Sequence, residues 1–188
     1  MMLNGVRRSV HSYRSDHAAA SGEAKMTLKD SMHLVSDPEN LDKSVHEVFE
    51  TMLGVQCRPE DRAMVVPEHP TAVSVTAVVG FGGILSGACV IRCDASAACA
   101  IAACMAGMEF ETVDDVVKDA MGEICNMLAG TWKSKVPDLA SNCGLSVPAV
   151  ITGSDYNLHV QSPEFRISKT YAFNETRFEM IIVCDALH

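Results

Sequence analysis

Three polar side chains at helical spacing are the residues of this chain best placed to do chemistry. Asp119, Glu123 and Asn126 stand at positions i, i+4 and i+7. On an α-helix, with about 100° between successive residues, these side chains fall within roughly 60° of arc. A carboxylate can pair with a cation, and a carboxamide both donates and accepts hydrogen bonds. The three residues therefore form a candidate binding or catalytic face.

The rest of this helix leaves two interpretations open. Its opposite arc is apolar and predicts burial, through Val117, Met121, Ile124, Leu128 and Trp132. A polar face opposite a buried stripe is also what an ordinary solvated helix shows. Against that, Gly122, Ala129 and Gly130 lie beside the polar residues, where a helix optimised for stability would carry long charged side chains. Small neighbours leave room for another surface to approach.

Composition excludes several classes of protein. The chain has 188 residues, 48% of them hydrophobic and 21% charged, which is typical of one globular domain with tails. The net charge of −9 argues against nucleic-acid binding, which needs clustered Lys and Arg. No apolar run reaches the roughly 18–20 residues of a membrane span. The N-terminus has no apolar segment typical of a secretory signal, so we expect a cytoplasmic protein.

Eight cysteines and seven histidines raise the question of disulfides or a metal. Disulfides are not expected without a secretory signal. The chain has no Cys-x-x-Cys pair, and Cys89 and Cys93 would lie about 13 Å apart on a strand, too far to ligate one metal. Most cysteines stand among apolar residues, where a free thiol acts as a small hydrophobic group. We expect structural cysteines and no metal site.

The hydrophobic pattern predicts a tail followed by one domain. Residues 1–35 show no periodicity and are rich in Ser, Ala, His and Arg, which predicts a disordered segment. Residues 36–188 are predicted to form a single domain that begins with a helix. Apolar residues recur at helical spacing from Leu41 to Leu53, and Gly54 suits the position after the helix end.

Two further helices are predicted. The first covers 95–106, with Asp94 as its N-cap and Gly107 as its stop. The second carries the three polar residues, begins at a segment 112–115 that resembles a capping box, and ends near Lys135, just before a proline.

Alternating segments predict a set of strands. The pair Gly82-Gly83 suggests a two-residue hairpin turn, and Pro148 implies an edge strand or a bulge. The predicted strands are 71–81, 84–92, 145–152, 156–160, 165–173 and 177–187. Helices and largely antiparallel strands together predict an α/β (α+β) domain with its helices on one face of the sheet.

The spacing of four residues resembles the active-site signature of the CheC/CheX/FliY phosphatases of bacterial chemotaxis. Three residues separate Asp119 from Glu123, and two separate Glu123 from Asn126. Another 21 residues lead from Asn126 to Pro148. The surrounding segments are similar to that family as well, namely 78–90, 104–107, 122–130 and 145–153. The resemblance implies a CheC/CheX-like fold, with a largely antiparallel sheet and one long helix bearing the signature.

Copy number places the chain within that family. CheC-like members carry the signature twice, once in each pseudo-repeat. The first predicted helix here has Glu47 followed by Glu50, at the position where a second signature needs Asn. The chain therefore resembles the single-site CheX-like branch, whose members form homodimers through sheet extension.

The resemblance also implies an activity, hydrolysis of the aspartyl phosphate on a CheY-type response regulator. Asn126 would orient the attacking water, and Glu123 would pair with a lysine of the regulator. Asp119 and Pro148 would be supporting positions. The regulator would supply Mg²⁺, so no cofactor of the chain's own is expected. Two alternatives stay open: a non-catalytic adaptor that binds a receiver domain or a flagellar switch component, and a metal or redox protein using the cysteines.

Overall fold

The computed structural model describes residues 33–60, 73–154, 156 and 163–187. The predicted tail lies outside this part of the chain up to residue 32, as does all but the first residue of the predicted strand 156–160. Val35 is fully buried in the hydrophobic core. The packed part of the chain therefore includes the last residue of the segment predicted as tail.

Four helices position the site, and capping residues set where the main ones begin and end. They are α1 (Pro38–His46), α2 (Ala95–Ala106), α3 (Asp115–Ser134) and α4 (Pro137–Asn142). At the start of α2, the Asp94 carboxylate accepts the Ala97 N–H at 2.8 Å, and Gly107 ends the helix in the left-handed region. Both predicted caps of this helix are confirmed. Helix α1 continues into a π-helical turn, Glu47–Met52, and Gly54 follows with φ of +69°.

The strands form a single antiparallel sheet within the described residues. They are β1 (Arg58–Glu60), β2 (Ser74–Gly83), β3 (Leu85–Asp94), β4 (Cys143–Leu145), β5 (Ala149–Gly153), β6 (Phe165–Phe173) and β7 (Thr176–Leu187). Their order is β1-β6-β7-β3-β2-β4, and β5 pairs with β2 beyond the end of β4. Helix α3 packs on β2, β3, β4 and β5. The predicted α/β fold with antiparallel pairing is confirmed.

Aromatic and aliphatic side chains fill the space between the helices and the sheet. Trp132 of α3 is fully buried and packs against Phe81 of β2, with 5.2 Å between ring centroids. Phe49, in the π-helical turn, stacks on Phe178 of β7 at 4.9 Å. The apolar arc of α3 is buried throughout, as its spacing predicts. No helix of the described chain is long and apolar enough to cross a membrane.

Two local predictions differ from the structure. The two-residue hairpin turn predicted at Gly82-Gly83 is wrong, because Phe81 pairs with Gly87 and the connection therefore spans 82–86. Both glycines also pair with β4. The N-cap of α3 is Asp114, not Thr112 of the predicted capping box, and its carboxylate accepts the Val117 N–H at 2.9 Å. Asp114 is the better N-cap than Thr112, because a carboxylate at this position also interacts with the positive end of the helix dipole.

The strand predicted over 145–152 is divided in two. It breaks into β4 and β5 around Pro148, which has no N–H to donate to a sheet ladder. Because β4 and β5 both pair with the same edge of β2, the proline lies at an edge-strand interruption, as predicted.

A bulge in β3 depends on Gly87. This residue has φ of +159°, and a Cβ built on it would collide with the carbonyl oxygen of Val183 in β7. We expect Gly87→Ala to lower the free energy of unfolding by about 2–3 kcal/mol, the usual effect of a strained backbone position. Urea denaturation measures the change. Gly82→Ala is the control, since its added Cβ meets nothing within 4 Å. Equal midpoints for the two variants would contradict this account.

Candidate functional site

The predicted site residues share one face of α3. Asp119 and Glu123 are exposed and Asn126 is half-buried, whereas Met121, Ile124 and Leu128 on the opposite face have no exposed surface. We call Asp119, Glu123 and Asn126 the polar strip. The buried face of α3 packs into the core, and the Asp114 cap stabilises the start of the helix. The backbone that carries the polar strip is therefore held in place.

The side chains of the polar strip are unpartnered. Within the described ranges, no residue forms a hydrogen bond or an ion pair with the side chain of Asp119, Glu123 or Asn126. The two lysines of the same helix are engaged elsewhere. Lys118 pairs with Asp115 at 2.9 Å, and this pair raises the pKa of Lys118 and lowers the pKa of Asp115. The strip therefore presents two free carboxylates and a free carboxamide to another molecule, and its charge favours a cation.

Pro148 joins the site through a glycine of α3. A Cβ built on Gly122 would lie 3.3 Å from the Pro148 Cβ and 3.6 Å from a methyl of Val150. The proline ring therefore packs directly on the helix, one residue before Glu123 and one turn before Asn126. The structure brings together all four residues that the sequence singled out.

The small residues of α3 have a different role from the one predicted. Gly122 and Ala129 are buried, and a Cβ on Gly130 would approach Leu145 of β4 at 3.9 Å. The surface that approaches them is the chain's own β4–β5 edge. They do not leave an open space for a partner, because β4 and β5 need that space to reach β2. The face left for a partner is the polar strip.

Lys133 is a residue that the sequence did not single out. Its ammonium donates to the carbonyl oxygens of Ala140, at 3.0 Å, and Cys143, at 2.8 Å. These bonds tie the last turn of α3 to the end of α4 and the start of β4. Because β4 leads directly to Pro148, Lys133 helps to hold the proline against Gly122. Its place in the last helical turn, where a cation meets free carbonyl groups, is the only sequence signal for this role.

The first helix carries no second polar strip. Glu47 forms an ion pair with Lys135, and Glu50 lies 3.1 Å from the imidazole of His46. At this position both carboxylates have partners within the fold, in contrast to those of α3. The single signature that the sequence indicates is consistent with this geometry.

The cysteines lie mostly in the core. Cys89, Cys93 and Cys125 are buried as free thiols, and Cys184 is buried as well. Burial raises the pKa of Cys93, and the neighbouring Cys125 thiol together with burial raises that of Cys89. A thiol with a raised pKa is a poor nucleophile and a poor metal ligand. Among the described residues, no group of three His, Cys, Asp or Glu side chains could hold a metal ion.

The buried thiols, Cys57 among them, should make the folded protein less stable at alkaline pH. Burial, with the Glu50 carboxylate adding to it, raises the pKa of Cys57 from 9.0 to about 12. Because the folded pKa lies above the unfolded one, this stabilisation is complete below pH 9 and is lost as pH rises toward 12. We expect the thermal midpoint to fall steadily above pH 9. A midpoint that stays flat between pH 9 and 11 would contradict the burial of these groups.

Comparison with known proteins identifies relatives over the region that holds the site. The family model of the chemotaxis phosphatase CheX matches residues 75–169, about half of the chain. The CheY-P phosphatase CheX of Thermotoga maritima is 27% identical over 116 residues, which are 61% of this chain and 74% of that protein. The match to the family model includes the whole of α3 and Pro148.

Solved structures share the fold. A CheX from Desulfovibrio desulfuricans has a TM-score of 0.62 and 24% identity, and the alignment covers 78% of this chain and 97% of that one. The CheX of a CheX–CheY–BeF3–Mg²⁺ complex from Borrelia burgdorferi has a TM-score of 0.61 and 20% identity, over 81% and 99% of the two chains. The predicted fold and enzyme class, a phosphatase, are confirmed: the chain belongs to the chemotaxis phosphatase CheX family.

Proposed function

We propose that this chain accelerates hydrolysis of the aspartyl phosphate on a CheY-type response regulator. The observation that carries the proposal is the unpartnered pair Glu123 and Asn126, one turn apart on a rigid helix. Family membership supports it, as does the complex that the Borrelia burgdorferi relative forms with CheY. An exposed helix face suits a protein substrate, because it can enter a cleft on another folded domain.

Asn126 orients the attacking water in this proposal. Hydrolysis forms a bond between the water oxygen and phosphorus, and it breaks the bond from phosphorus to the aspartyl oxygen. The aspartate leaves as a carboxylate, and phosphate is released. Because the transition state is loose, positioning of the water in line with the leaving oxygen matters more than strong base catalysis. A carboxamide can accept one hydrogen bond from the water while it donates another to a phosphoryl oxygen.

Glu123 holds the two proteins in register. Its free carboxylate pairs with a lysine beside the phosphorylated aspartate of the regulator, in a charge-assisted hydrogen bond. The regulator supplies the Mg²⁺ that neutralises the phosphoryl oxygens, and the chain contributes no cofactor of its own. Asp119 lies one turn before Glu123 and adds negative charge on the same face. Pro148 supports the helix by its contact with Gly122.

The experiment that tests this function follows phosphate release from phosphorylated CheY-type regulators. A small molar fraction of the protein should shorten the lifetime of the phosphorylated form, with many turnovers per molecule. The regulators of the same organism form the test panel. Binding without any acceleration, for every regulator in the panel, would favour the adaptor function instead.

The remaining expectations follow from this proposal. A phosphorylated regulator is a cytoplasmic substrate, which places the enzyme in the cytoplasm. The homodimer implied by the CheX-like resemblance is part of the same proposal. Neither changes the chemistry, because every residue assigned a role lies in one copy of the chain.

A further inference from the structure

An exposed valine stands at the corner between β4 and β5. Val147 is 87% exposed, the largest value among the exposed large hydrophobic residues of the described chain. Its neighbour Pro148, in contrast, is half-buried against Gly122 of α3. The corner therefore turns one apolar side chain fully into solvent next to a residue that touches the site helix.

The corner is held rigidly. The Ser146 N–H donates to the Gly80 carbonyl oxygen at 2.9 Å, and the Gly80 N–H donates to the Ser146 hydroxyl oxygen at 2.8 Å. The same hydroxyl donates to the Val147 carbonyl oxygen at 2.9 Å. With the proline ring packed on α3, these bonds fix the backbone on both sides of Val147. A partner that contacts this side chain loses little conformational entropy in ordering it.

Apolar groups flank the polar strip on both sides. Pro148 packs on α3 at Gly122, and Val147 is its neighbour in the chain. On the other side, Val116 is 52% exposed and lies seven residues before Glu123, about 20° away around the helix. Polar groups that are bordered by rigid apolar side chains are typical of a protein interface. A solvated helix face does not require these neighbours.

We propose that Val147 is a docking contact for the receiver domain of the phosphorylated regulator, and that it helps to select among receivers. This inference rests on the proposed function. A standard interface covers about 800 Å² on each partner, a disc of roughly 16 Å radius. A receiver that brings its phosphoryl group to Asn126 therefore also covers the corner, because Val147 adjoins the proline packed one turn away. Val147 touches the receiver's surface around the phosphorylation site and takes no part in the chemistry.

Affinity for receivers loaded with beryllofluoride and Mg²⁺ is the test, with phosphate release measured in parallel. We expect Val147→Asp to raise Kd and KM at least about tenfold, with kcat within about twofold of wild type. Val147→Thr keeps the shape of the side chain and should give a smaller rise. The matched control is Val73→Asp, because Val73 is also an exposed valine, at 44%. It lies just before the start of β2, seven residues from Gly80, and Gly80 is the β2 residue that bonds to the corner at Ser146. Val73 is therefore far along the strand from Val147. The Val73→Asp change should leave both constants unchanged.

The outcomes separate this inference from the proposed function. If the wild-type protein binds a receiver but does not hydrolyse its phosphate, and Val147→Asp loses that binding, the phosphatase proposal fails and the docking contact stands. If Val147→Asp and Val147→Thr both keep wild-type Kd and KM, the docking contact is wrong while the phosphatase proposal stands. An equal loss in Val73→Asp would also overturn it, and so would a wild-type protein that binds none of the receivers.

Discussion

Replacing Asn126 by alanine is expected to slow catalysed hydrolysis of the regulator's phosphate by at least about 100-fold, the usual effect of losing the group that positions a reactant. Binding of the regulator should change little, because Glu123 makes the ion pair with the regulator and Asn126 contributes only one hydrogen bond to a phosphoryl oxygen. The backbone should tolerate the change, since alanine favours a helix and Asn126 has no partner within the described part of the chain. Single-turnover decay of the phosphorylated regulator measures the rate.

Ser134→Ala is the matched control for this experiment. Ser134 lies two turns further along α3, and its hydroxyl bonds to the carbonyl oxygen of Thr131. We expect that variant to keep the wild-type rate. Asn126→Asp is the informative conservative variant, because it keeps the size of the side chain but removes its donor and adds a negative charge beside the phosphoryl group. A rate near that of wild type for Asn126→Ala would remove Asn126 from the mechanism.

Changing Glu123 should act mainly on association with the regulator. With Glu123→Ala the charge-assisted bond to the regulator's lysine is lost, and we expect kcat/KM to fall by about 10- to 100-fold, as for a hydrogen-bonded charge pair at an interface. The kcat/KM of Glu123→Lys should be lower still, because this change places two cations against each other. Raising the salt concentration should slow the wild-type enzyme more than Glu123→Ala, since salt screens the pair.

Glu109→Lys separates the local pair from the overall charge of the protein. It changes net charge by the same amount as Glu123→Lys, but it lies in the loop between α2 and α3. If only Glu123→Lys loses activity, Glu123 makes a specific contact with the regulator. If kcat/KM falls equally in Glu123→Lys and Glu109→Lys, general electrostatic attraction explains the effect and Glu123 has no particular role.

The sequence predicts the fold well where short-range chemistry decides it. Asp94 and Gly107 bound α2 because one side chain caps a helix start and one backbone conformation ends it. The turn between β6 and β7 lies between the predicted strands 165–173 and 177–187, at Asn174 and Glu175, which both have positive φ. By contrast, α4 begins directly at Pro137, which the sequence indicates only as the end of α3. A proline that stops one helix also suits the first position of the next.

The site shows the same division. Helical spacing is enough to place Asp119, Glu123 and Asn126 on one face, because it depends on a single helix. The role of Gly122, which is to let Pro148 pack on the helix, could not be predicted without the tertiary structure. Pro148 lies 26 positions further along the chain. Periodicity shows that a glycine interrupts the polar side of a helix, but it does not show which surface covers that glycine.

A structure of the protein bound to a regulator loaded with beryllofluoride and Mg²⁺ tests the central claim most directly. We expect α3 at the phosphorylation site, with the Glu123 carboxylate about 2.8 Å from a lysine ammonium of the regulator. The Asn126 carboxamide should face the beryllofluoride group in line with the aspartyl oxygen. A complex in which the regulator contacts another face of the protein, leaving the polar strip in solvent, would contradict it.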